Sequence, residues 1–142
     1  GVSRVTATAT GRIEGDVRVT LRLDALHALD PSDVVGKGDW ELRVWINGLE
    51  RWRSAHTIHV GQDETVDIGE AIVTEVPEYT DTLEIEVQAR EKDLLNPDDY
   101  ADGMATLYRS LGFRAPDDPL VIDIRGDGLL RLICSVEVAA GA

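Results

Sequence analysis

Thr82-Leu83-Glu84-Ile85-Glu86-Val87-Gln88-Ala89-Arg90 runs straight into Glu91-Lys92-Asp93-Leu94-Leu95-Asn96-Pro97-Asp98-Asp99-Tyr100-Ala101-Asp102-Gly103. In the first part Leu83, Ile85 and Val87 alternate with Glu84, Glu86 and Gln88. Period-two alternation puts one apolar and one wet face on a strand, as in an antiparallel sheet covered on one side. The second part carries five carboxylates in thirteen residues, with Asn96-Pro97 forcing a turn among them. Two unit charges about 4 Å apart repel by roughly 4 kcal/mol at an effective dielectric of about 20. A folded loop must therefore splay these acids into water, protonate some, or bind a cation.

The alternation recurs outward in both directions. It predicts strands over Val2–Thr10, Val17–Leu26, Trp40–Ile46, Arg51–Val60, Ile68–Val76, Thr82–Arg90, Leu120–Arg125 and Leu129–Val138. Ile46-Asn47-Gly48-Leu49 is a hairpin signal, because Asn-Gly accepts the positive φ angles of a type I′ turn. Arg125-Gly126-Asp127-Gly128-Leu129 is a second. One short helix is expected over Asp99–Leu111, where Met104, Leu107, Tyr108 and Leu111 share a helical face and Gly112 follows as a cap. The fold class expected is all-β, an eight-stranded antiparallel β-sandwich with that one helix, as a single domain over residues 1–142.

Composition narrows the function. Fourteen basic residues stand against 27 acidic ones, a net charge of −13. That field disfavours nucleic acid and unaided attraction to anionic membranes, and it favours cations or a basic partner surface. Cys134 is the only cysteine, in a run that reads as a buried strand, so an internal disulfide and a thiol metal cluster are both excluded. His56 and His59 are three apart in a predicted strand and so face opposite ways, which argues against a transition-metal site. Nucleophile-elbow, P-loop and dinucleotide-binding motifs are absent, and nothing singles out a catalytic carboxylate pair. The expectation is a protein without catalysis.

A second acidic connection, Asp30-Pro31-Ser32-Asp33-Val34-Val35-Gly36-Lys37-Gly38-Asp39, joins two predicted strands. It is not an EF-hand loop, since Val34 and Val35 stand where an oxygen ligand and a glycine are needed. Calcium takes six to eight oxygens, more than one loop commonly supplies, and two acidic loops at one end of a sandwich would do so. The other reading of both loops is that their acids are ordinary turn residues in water.

Leu26 to Asp30, Gly36 to Val44, and Leu83 to Val87 followed by Glu91-x-Asp93 and Asp99 together resemble the C-two domain, a calcium-binding β-sandwich of similar length. The resemblance covers roughly residues 17 to 138. It implies a non-catalytic binding module with calcium as the cation, held by Asp30, Asp39, Glu91, Asp93 and Asp99, with Asp33, Asp98 and Asp102 in reserve. Two departures stand out: Trp40-Glu41 follows the second Asp where the family has Pro-Tyr, and Gly61 to Asp67 replaces an Asn-Pro-containing motif.

One local excess of positive charge lies around the Asn-Gly hairpin. Arg43, Arg51, Trp52 and Arg53 are candidates for docking a partner, because Arg and Trp dominate binding hot spots. The alternative is that Trp45 and Trp52 are core residues and the arginines pair with Glu41 or Glu50. The partners expected are a protein or a second copy of the chain, with a membrane only when calcium is bound and no nucleic acid. A structural or assembly sandwich without metal is the competing function.

Overall fold

The computed structural model describes residues 11–30, 38–91 and 99–141. The described residues form nine strands: β1 (Val17–Asp30), β2 (Gly38–Ile46), β3 (Leu49–Arg53), β4 (Ile58–Val60), β5 (Thr65–Val76), β6 (Thr82–Glu91), β7 (Asp99–Tyr108), β8 (Leu120–Gly126) and β9 (Leu129–Ala140). All pairings are antiparallel, in the order β3-β2-β6-β7-β8-β9-β1-β5, with β4 also on β2. β7 and β8 pair only through Ala101↔Gly126 and Asp102↔Arg125. At that short link the ribbon turns into two layers, β3-β2-β6-β7 and β8-β9-β1-β5, whose apolar faces meet in one core. The sandwich expected from alternation is the fold observed. The predicted strand over Val2–Thr10 lies outside the described residues.

Alternation fixes which side chains enter the core. In β2 every second residue from Gly38 to Ile46 is buried, and in β6 Leu83, Ile85, Val87, Ala89 and Glu91 are. β1 changes parity: Val17, Val19, Leu21 and Leu23 point inward, then Leu26 and Ala28. A register shift between Leu23 and Ala25 against both neighbours causes the change, since one extra residue in a strand flips every later side chain. The hairpin forms at Asn47 (φ 49°) and Gly48 (φ 81°), as Asn-Gly dictates. Asn47 also ties the hairpin to β6, receiving the Glu84 amide at 2.8 Å and donating to Thr82 at 3.2 Å.

Two expectations need correction. Residues 99–111 are not a helix: β7 spans Asp99–Tyr108, and only Arg109–Leu111 form a turn of 3₁₀-helix. Tertiary pairing decides this, because β7 aligns with β6 along its whole length, from Glu91↔Asp99 to Thr82↔Tyr108. Met104 and Tyr108, expected on an apolar helix face, are 57% and 46% exposed. Gly112 does end the short 3₁₀ turn, in the left-handed conformation at φ 71°. The expected strand Arg51–Val60 is two strands. Ser54 breaks it, its amide donating to Leu42 O at 2.9 Å while its hydroxyl accepts the Leu42 amide at 3.0 Å. His56 therefore sits in the break rather than on a strand face.

The outer face of the second layer is laced with cross-strand ion pairs: Arg18–Glu75 (2.6 Å), Arg22–Glu137 (3.0 Å), and Asp123 with Arg125 (3.1 Å) and Arg131 (3.0 Å). The hydrogen bond from Arg125, then that from Arg131, holds the Asp123 carboxyl below the usual range. Cys134 is fully buried, and burial pushes its thiol up to about 12. The native thiol therefore keeps a proton that the unfolded chain gives up near its ordinary value of 9.0. Its stabilising effect is complete below that value and lost as pH rises toward the native one. A thiol reagent at pH 8 is expected to label Cys134 only in denaturant. Labelling of the native protein at the rate of a free thiol would contradict this burial.

Candidate functional site

The strand ends divide the sandwich into two ends of different character. One end gathers the termini Asp30, Gly38, Glu91 and Asp99 and the turns at 61–64 and 126–128. Both predicted acidic loops leave from here. The other end holds residues 12–16, 77–81 and 109–113, knitted together by Arg109.

Register decides which acids meet at the loop end. Glu91 lies directly opposite Asp99 on neighbouring strands. Side-chain parity turns both toward the space between the layers, alongside Ala89 and Ala101 of the core. Carboxylates facing each other in such a pair have Cβ atoms about 4.5–5.5 Å apart, and like charges at that position destabilise the pair. Glu91 is only 6% exposed. Burial of an ionised carboxylate is tolerated only with charge or hydrogen-bond partners. Across the sheet Glu91 aligns with Trp40, itself fully buried.

Asp39 precedes Trp40 and so faces the other way, onto the outer surface of β2. There Nδ1 of His59, its register partner on β4, is hydrogen-bonded to Asp39 Oδ1. Asp30 ends β1 opposite Leu129. Asp93, Asp33 and Asp98 lie outside the described residues, as does the side chain of Asp30. Asp102 is on the outer face of β7. Of the five expected calcium ligands, the described strands thus bring Glu91 and Asp99 together and separate Asp39 from them. Among the described residues no group of three or more His, Cys, Asp or Glu side chains is arranged to hold a metal.

Asp127, in the β8–β9 turn, is a residue that sequence reasoning misses. Its Oδ2 accepts the Tyr100 amide at 2.9 Å and its own amide donates to Tyr100 O at 2.9 Å. It fastens that turn to the start of β7 one residue from Asp99. The Asp-Gly turn pattern is the available signal, but the tie spans 27 residues and no local pattern announces it.

The arginine-tryptophan hairpin divides between faces. Trp52 pairs with buried Val44 and packs against the core. Arg43 and Arg53 share Glu50 on the outer face, at 3.8 and 3.0 Å. Arg51 reaches across to the other layer and donates to Val73 O at 2.7 Å. A groove of about 410 Å³ opens between Trp52, Ile58 and the β5 residues Val66 and Ile68.

No protein-family profile matches this chain, and no curated protein matches it. Solved structures do. A C2 domain protein from Ramazzottius varieornatus superposes with a TM-score of 0.60 at 16% identity, covering 91% of each chain. A C2 domain of plant Extended Synaptotagmin 1 gives 0.58 at 15% identity, over 90% of this chain and 96% of that one. Human GIVD cytosolic phospholipase A2 gives 0.59 at 12% identity, matching 91% of this chain but 18% of the enzyme. The chain has a C2-like fold.

Proposed function

We propose that the chain is a non-catalytic binding module that takes up calcium at its acidic loop end and docks to a partner in the loaded state. The observation that carries this is the Glu91↔Asp99 pair, two carboxylates directly opposed and turned into the mouth of the sandwich. A divalent cation bound between them would be held by two opposed carboxylates, and hard oxygen ligands suit calcium. Glu91 and Asp99 would hold it, with further oxygens from Asp30 and Asp93. Asp39 would join only by turning from His59. Cation uptake would reduce the negative potential that otherwise repels an anionic membrane, so membrane docking would require calcium. The C2-like fold of the solved relatives supports a module of this kind.

Thermal unfolding in calcium and in chelator tests this. With a dissociation constant on the order of 10⁻⁴ to 10⁻³ M, about 10 mM calcium adds roughly 1.4–2.7 kcal/mol. The melting temperature should rise by about 3–8 °C, and E91Q/D99N should abolish the rise. Equal melting temperatures in calcium and chelator would leave the acids as solvated turn residues. The assembly reading draws on β5, whose 12 residues end the pairing order and, among the described residues, pair with a strand on one side only. It requires self-association without metal, read by light scattering over a concentration series.

A further inference from the structure

The outer face of the first layer carries a feature that calcium uptake does not use. Trp45 aligns with Glu86, and Glu86 with Met104, in one row across β2, β6 and β7. Strands about 4.8 Å apart make this row about 10 Å long. In the next row Gln88 aligns with Asp102. Together these side chains line a groove of about 590 Å³. Met104 is 57% exposed and Trp45 half-buried, so an indole and a thioether face water on either side of Glu86, with Asp102 in the next row.

Those carboxylates differ from three on the outer face of the second layer. On the second layer Glu75, Glu137 and Asp123 each hold an arginine. Beside the groove, Arg43 and Arg53 converge on Glu50, and Arg125, across from Asp102, is bonded to Asp123. Glu86 and Asp102 make no ion pair or side-chain hydrogen bond among the described residues, and exposed Glu84 extends the negative rim. An aromatic face beside unpaired carboxylates is the complement of a guanidinium or ammonium group, which stacks on the indole and donates to the acids. The same acids repel a phosphate or an anionic lipid.

We propose that the Trp45–Met104 groove is a docking site for a basic polypeptide segment, with an arginine or lysine side chain seated between Glu86 and Asp102. About three residues of extended chain span the row. The site lies on the outer sheet face rather than at the loop end, so it works without calcium.

Met104 is the only methionine, and its labelled methyl group gives a single NMR reporter inside the groove. The probe is a hepta-arginine peptide titrated in chelator, with hepta-glutamate in parallel. Hepta-arginine should move the Met104 methyl resonance saturably, and hepta-glutamate should not. E86Q/D102N, both exposed positions, should weaken binding about tenfold. E78Q/D117N removes the same charge from exposed sites away from the groove and should change it less than about twofold. A motionless methyl signal, or equal weakening by both pairs, would overturn the proposal. Because calcium is absent throughout, neither result bears on cation uptake at the loop end.

Discussion

Replacing Arg109 with alanine is expected to destabilise the fold by about 3–5 kcal/mol. The side chain is fully buried and spends its fork on main-chain carbonyls: Thr80 at 2.8 Å, Ile13 at 3.1 Å, Gly15 at 2.8 Å and Pro77 at 2.7 Å. Its guanidinium also lies 5.1 Å from the ring centre of Phe113. It thereby fastens three segments, 13–15, 77–80 and 109–113, at the end opposite the acidic loops. Alanine strands all four carbonyls, each costing about 1–3 kcal/mol where water cannot reach. Lysine should recover little, because a single ammonium cannot reproduce the planar fork that meets separate strands of chain. Urea unfolding should show a lower midpoint with an unchanged slope. A loss below about 1 kcal/mol would mean that water replaces the guanidinium. Any response to calcium in the folded variant should persist, since the change is at the far end.

Gly103→Ala is expected to cost about 2–4 kcal/mol for a different reason. A Cβ at position 103 would overlap the carbonyl oxygen of Asp123 and lie 3.1 Å from both the Asp123 carbonyl carbon and Ile122 Cγ2. The obstructing backbone belongs to β8, pinned to β9 by Asp123↔Arg131 and its neighbours, so it has little room to retreat. Gly126 has the same constraint from the other side, where a Cβ would lie 2.9 Å from Ala101 Cα. These two glycines let β7 and β8 approach where the ribbon folds into layers. Gly48→Ala is the comparison: nothing lies within 4 Å, and only its φ of +81° opposes a side chain. That substitution should cost about 1 kcal/mol. Equal costs at positions 48 and 103 would contradict a steric role for Gly103.

The same glycine explains why β7 reads as a helix in the sequence. Its inward residues are Ala101, Gly103, Ala105 and Leu107, too small to show the alternation that marks β2 and β6. The large residues Met104, Tyr108 and Leu111 then suggest a helical face. Strands with bulky inward side chains are legible, as is the Asn47-Gly48 turn, because each depends on neighbouring residues alone. The break at Ser54 is not, since it depends on Leu42 of another strand. Arg109 carries no signal either: a base after a strand reads as surface until 94- and 96-residue contacts bury it.

At the candidate site, the clustering of acids at one end of the sandwich is legible in part. Asp39 and Glu91 both flank acidic loops, but parity turns Glu91 inward and Asp39 outward. A one-residue difference in register reverses such an assignment, and only the pairing Trp40↔Glu91 resolves it. The groove at Trp45 is hidden for a related reason. Its lining comes from three strands and acquires meaning only when Trp45, Glu86 and Met104 fall in one row.

The proposed function requires a calcium site at the opposed pair Glu91 and Asp99. A calcium titration followed by amide NMR tests it most directly. Saturable shifts are expected at Glu91, Asp99 and the adjoining Trp40, complete by about 10 mM calcium, with Thr82 and Arg109 unmoved. Amides of Glu91 and Asp99 that stay still throughout that range would contradict it.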